Sequence, residues 1–278
     1  MSSVPSLPRC LCLALLLWLL PLGGAGAPAS ASADLNQAWG ALADNRLAEA
    51  QRVLGAAPST RPAQLAWAVA EMTRPPVTEA HRRAAERVFQ ELARGDDEVG
   101  AQAEYLRARL HQLHDVPADE TGAAGLYRAL AARRPHSHWA QLGLVKLALL
   151  ELYRRPDPAD AAADRLAPAE AALAQIEEPA LRRDLHLQIG QAGIALQQPL
   201  GRLLPHLVAA DRLGGLTSAA REDLIVQIGV LSLRAGQLDQ AQAYFNRYLQ
   251  DYPANTRAYT VAQLLEQIRP RRAQESAP

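Results

Sequence analysis

Residues 225–253 read IVQIGVLSLRAGQLDQAQAYFNRYLQDYP. Ile225, Ile228, Gly229 and Ser232 fall at i, i+3, i+4 and i+7, the spacing of one helical face, and Gly236 ends that run. Gln237-Leu238-Asp239 opens a second helix on which Ala241, Phe245 and Tyr248 again share a face, and Pro253 stops it by disfavouring helical geometry in its predecessor. Gly229, without a Cβ, marks where the two helices come closest, at a helix-propensity cost of about 1 kcal/mol that packing has to recover. Ala241 is the small partner in that crossing. A third helix, roughly Thr256 to Ile268 with Tyr259, Ala262, Leu265 and Ile268 as its stripe, follows and is expected to cap the pair's exposed apolar face.

These positions resemble one complete tetratricopeptide repeat: large apolar residues at helical spacing with a small one beside them, then Ala, an aromatic and a closing Pro. The same spacing returns at Ala123, Tyr127, Leu130 and Pro135, and in part at Asn45, Ala50 and Leu54 and at Ala85, Phe89 and Leu92. Trp139, Leu142 and Gly143 match the start of the motif, with Lys146 where an aromatic is usual. The second helix of that pair, carrying Ala169, Leu173 and Ile176, is expected only after an insertion over 154–168. The pair from Ala180 to Leu196 and Leu200 to Leu213 keeps Ile189 and Gly190, but Pro199 and Pro205 are expected to disturb its second helix. The resemblance implies an all-α, right-handed α-solenoid of about five such helix pairs plus a C-terminal capping helix, spanning residues 34–269. Residues 270–278 are expected to form a disordered tail.

Composition supports helices throughout. Ala, Leu, Arg, Gln and Glu dominate, and runs of β-branched and aromatic residues are missing. Arg9 is followed by an apolar run from Leu11 to Leu20, Pro21 and small residues, the layout of a secretory signal peptide over 1–33, with cleavage after Ala33 or Ala31. Cys10 and Cys12 both lie in that leader, so a chain beginning at Asp34 has neither disulfides nor a thiol nucleophile. The 29 basic and 29 acidic residues become 28 and 29 without the leader, and a neutral, mixed-sign surface argues against nucleic acid as a partner. No stable membrane span is expected after cleavage. An exported, cysteine-free, Arg- and Ala-rich chain points to the periplasm of a Gram-negative bacterium, or to secretion.

Is there chemistry in these residues? His111 and His114 lie at i, i+3, and His136 and His138 open a neighbouring helix, but neither pair shows the added Cys or carboxylate at fixed spacing that a zinc site uses, so no metal is expected. No phosphate loop, nucleophile elbow or metalloprotease helix is present in the sequence. Catalytic residues and cofactors are accordingly expected to be none. Two first helices are apolar nearly all round. In the resembled family the first helix of each pair lines a groove, which by motif position assigns Ala140, Leu144, Leu147, Val226, Val230 and Leu233 to a partner-binding face. The expected function is that of a non-catalytic scaffold binding a protein or peptide partner in envelope assembly or transport. Two alternatives stay open: a carrier of an apolar, lipid-like ligand, and a non-catalytic subunit of an envelope enzyme complex.

Overall fold

A computed structural model describes residues 29–153 and 164–270, with side chains from Asp34 onward. The expected leader with Cys10 and Cys12, residues 154–163 of the insertion and the chain beyond Pro270 lie outside the described residues. Among the described residues there are thirteen α-helices and no strand. They form two compact units, one up to Leu130 and one from Ala131.

In the first unit, α1 (Ala29–Ala43) and α2 (Leu47–Leu54) are joined by a turn in which Asn45 adopts φ +58°, a left-handed conformation that Asn tolerates well. Helix α1 includes the segment of the expected cleavage sites. Ala38, Ala41 and Ala50 are fully buried, so these helices meet through alanines. Helix α3 (Arg61–Thr73) carries Pro62 in its first turn and contacts α1, α2, α4 (Glu79–Leu92) and α5 (Glu98–His114). That is why it is apolar over most of its circumference, with Leu65, Ala66, Ala68, Val69 and Ala70 all buried. The Thr78 hydroxyl accepts from the His81 N–H and the Asp97 carboxylate from the Gly100 N–H, so both following helices start with a satisfied cap. Helix α6 (Glu120–Arg133) buries Ala123, Tyr127 and Leu130 completely. The Tyr127 ring lies 5.9 Å from that of Tyr105 on α5, and its hydroxyl donates to Gln112.

The second unit opens with α7 (His138–Tyr153). The expected partner helix is short: α8 (Ala167–Ala172) is followed by one 3₁₀ turn, Leu173–Gln175, yet Ala169 and Ile176 are both fully buried, so the segment still covers α7. Helix α9 (Pro179–Ala195) pairs with α10 (Leu200–Leu213). Contrary to the sequence reading, the two prolines do not break α10. Pro199 is its N-cap, and Pro205 sits inside an unbroken helix. The missing N–H and the ring cost about 3 kcal/mol, and burial of Leu203, Leu204, Leu207 and Val208 on the same helix offsets this.

Helices α11 (Ser218–Arg234) and α12 (Leu238–Asp251) form the clean pair, with Thr217 capping the first and Gly236 at φ +74° between them. Phe245 and Tyr248 are fully buried against Ile225. Helix α13 (Ala258–Glu266) closes over this cluster through Val261, Leu264 and Leu265, and Ile268 just beyond its end joins them. Tyr259, expected on that stripe, is instead 73% exposed, because the buried face of α13 is centred on Val261.

A Cβ built on Gly229 would lie 2.5 Å from the Phe245 ring, whereas one on Gly125 meets nothing within 4 Å. Overpacking costs about 1–3 kcal/mol and an alanine in place of glycine gains about 1 kcal/mol of helix propensity. Urea unfolding should therefore show Gly229→Ala less stable than wild type by about 1 kcal/mol and Gly125→Ala more stable by about 0.5–1 kcal/mol. Equal stabilisation by both would disprove the close crossing.

Candidate functional site

The six residues assigned to a groove divide into two groups. Ala140, Leu144 and Leu233 are buried at 0%, 6% and 5% exposure. Leu144 belongs to the cluster with Leu185 and Ile189, and Leu233 to that with Phe245 and Val261, so the chain's own helices cover them. Leu147 on α7 and Val226 and Val230 on α11 stay half-buried. Polar side chains of α7, α9 and α11 are paired with one another. The side-chain amide of Gln191 on α9 donates to Gln227 on α11 at 2.9 Å, and the Tyr153 hydroxyl donates to Gln188 at 3.2 Å. The arrangement offers valines and a leucine for apolar contact and amides that can both donate and accept.

Five of the seven histidines sort into three clusters. His136 and His138 each set Nδ1 2.9 Å from a carboxylate, of Glu177 and Glu178 respectively. The backbone N–H groups of those two glutamates both donate to the buried side chain of Gln141, so the cluster fixes the entry of α9 against α7. In the second cluster, His186 on α9 and His206 on α10 face each other with 3.0 Å between their Nδ1 atoms. His206 Nε2 lies 3.4 Å from Glu170 on α8, and Arg202 clamps both Glu170 and Asp164 at 2.7–2.8 Å. With Glu170 taking the Nε2 proton, His206 Nδ1 accepts and His186 Nδ1–H donates. Burial, then the facing His206, then Arg182 push the His186 imidazole down to about 4. Burial also lowers His206, against the opposing pull of Glu170.

The third cluster was not anticipated. His111 does not join His114; it joins Asp115 and Asp119, and one ligand atom from each of the three lies within 4.8 Å of the others. His111 Nδ1 is 2.7 Å from Asp115 Oδ2, and its Nε2 is 3.3 Å from Glu86 on α4. The sequence does carry a signal for it, a His-Asp-Asp run at i, i+4 and i+8 across the end of α5, but only the backbone turn brings Asp119 back over the helix.

Elsewhere, a surface cavity of about 310 Å³ is lined by Ala57, Pro58, Trp67, Val88 and Leu92, with Gln64 and Glu91 as polar members. No protein-family model matches this chain, and no curated protein matches it either.

The lowered values of His186 and His206 set the sign of an acid response. Histidines that are harder to protonate when folded contribute stability that is present above their unfolded value of about 6.5 and lost as pH falls through the folded values. Between about pH 6.5 and 4, chemical-denaturation midpoints should fall more steeply for wild type than for a His186→Gln/His206→Gln variant. Identical slopes would rule the pair out as an acid-labile contact.

Proposed function

We propose that this chain is a non-catalytic, tetratricopeptide-like scaffold that acts in the periplasm or outside the cell and recognises a protein or peptide partner in envelope assembly or transport. The observation that carries the reading is the incomplete burial of apolar residues on first helices of the second unit, Leu147 on α7 and Val226 and Val230 on α11, where Gln227 of the same helix pairs with Gln191 of α9. Apolar anchors bind a partner's side chains, and amides satisfy polar groups along its backbone. The helices that carry Leu147, Val226 and Val230 are held by buried cores on their other faces, so binding orders little that is not already ordered. A second reading, carriage of an apolar small ligand, draws support from the cavity at Trp67, whose volume of about 310 Å³ lies at the lower end of ligand pockets.

The test is reversible crosslinking in the native envelope followed by affinity purification of wild type beside a Val226→Glu/Val230→Glu variant. Leu144→Glu is unsuitable, since a carboxylate among Leu185 and Ile189 would unfold the core rather than block a surface. A partner recovered with wild type and reduced at least tenfold with a variant of unchanged helical content supports the scaffold, that loss corresponding to about 1.4 kcal/mol. Equal recovery sinks the groove. An extracted lipid that is lost in Trp67→Ala replaces the scaffold by the carrier.

A further inference from the structure

We propose that His111, Asp115 and Asp119 form a binding site for a divalent cation of the zinc class, set between the C-terminus of α5 and the N-terminus of α6. The three residues offer ligand atoms within 4.8 Å of one another. Ligand distances of about 2.0–2.2 Å around zinc place neighbouring donors roughly 3–4 Å apart, so small side-chain rotations close the set. The backbone holds it there. The Asp119 N–H donates to the His111 carbonyl at 3.0 Å, and Asp119 Oδ1 accepts the Gly122 N–H at 2.8 Å as the cap of α6, leaving Oδ2 as its second donor oxygen.

Two further observations bear on how the site is charged. The first is that both ring nitrogens of His111 face carboxylates, Nε2 towards Glu86 and Nδ1 towards Asp115. A neutral imidazole has a single N–H. With that N–H on Nδ1 the ring donates to Asp115 at 2.7 Å, and with it on Nε2, towards Glu86, the Nδ1 lone pair and the Asp115 oxygen are two donors that a cation can share. A carboxylate holding the far nitrogen of a histidine is also the arrangement that orients metal ligands. The second is Asp115 Oδ1, which has no accessible surface and no hydrogen-bond partner. Arg82 Nη1 lies 2.9 Å from it, an ion-pair distance, but off the N–H axis that a hydrogen bond needs. Arg82 is shared besides with Glu79 and Glu86, at 2.8 Å and 3.3 Å.

The charges leave room for the ion. Glu86, Asp115 and Asp119 bring three negative charges, and Arg82 and Arg107, the latter 3.8 Å from Glu86, bring two positive ones. A divalent ion turns that local balance from −1 to +1, whereas a single added proton between His111 and Asp115 would leave Asp119 outside the contact. One imidazole with two carboxylates selects a borderline metal over the all-oxygen preference of calcium.

The experiment is calorimetric titration of Zn²⁺ into the full chain after removal of metals with a chelator, beside Asp119→Asn and His111→Gln. Asparagine caps a helix as well as aspartate does, so Asp119→Asn keeps α6 intact, which its metal-free melting temperature verifies. The expected result is one saturable site, weakened about 10–100-fold by either substitution, with a wild-type melting temperature that rises with Zn²⁺ and variants that respond less. The His111 ring resonances should move on titration ahead of those of the other histidines. Binding that is unchanged in both variants, or absent up to about 1 mM Zn²⁺, overturns the proposal.

Discussion

The close crossing of two helices over a side chain too small to hold them apart is the contact on which the rest of this structure depends. Gly229 lies against the Phe245 ring, and Ala85, Ala123 and Ala241 are each buried completely beside a large ring or leucine of the same helix. Aromatics make up only 5% of the chain, and they are unevenly placed: α12 carries Tyr244, Phe245 and Tyr248, whereas α9 and α10 carry none and fill the space between their backbones with leucines and isoleucine. Phe89, Tyr127, Phe245 and Tyr248 are all fully buried. Each burial contributes about 1.5–3 kcal/mol, and packing at this density transmits the position of one helix to the next.

Helices that cross so closely bury polar groups with them, and several of these are joined across elements. Asp211 on α10 receives two guanidinium bonds from Arg247 on α12, at 2.6 and 2.7 Å, and the Tyr244 hydroxyl besides. Burial pushes that carboxyl up, but Arg247 and Tyr244 outweigh it and hold it below the usual carboxylate range. Tyr244 in turn rises to about 12, first through burial and then through Asp211. Arg202 plays the same part between α8 and α10, where its bonds are the largest cause of the lowered Glu170 and Asp164. Such bidentate pairs fix orientation as much as they add stability. They also account for charged residues that would otherwise look like chemistry on a helical face.

Two features stand apart from that pattern. On the second unit, Leu147, Val226 and Val230 are only half-buried, the valines even though they pack against the Phe245 cluster; in the first, both ring nitrogens of His111 face carboxylates. The two differ in kind. The half-buried residues follow from a regular feature of paired helices, whose faces are covered unevenly by their neighbours. The His111 cluster follows from a helix end, where the chain turns and backbone donors and acceptors no longer satisfy one another.

How much of this could be read from the residues follows from the range of each interaction. Helix periodicity, caps and stops are local, set within a few residues, and so Ile225 to Pro253 declares two helices and a crossing, Thr217 a start and Gly236 a turn. The all-helical class and the pairing of successive helices were determined at that level. Whether a given apolar face is core or surface depends instead on which distant helix covers it. Leu144 and Leu147 stand three residues apart in one apolar helix, and only the packing of α8 and α9 on α7 buries the first and leaves the second half-buried. Pro205 is a helix breaker by local rule, and tertiary burial of its leucine neighbours overrode it. His111 looked paired with His114 because helical spacing was the only geometry available. The turn after α5 brought Asp119 to it instead, by a backbone hydrogen bond that no spacing rule contains.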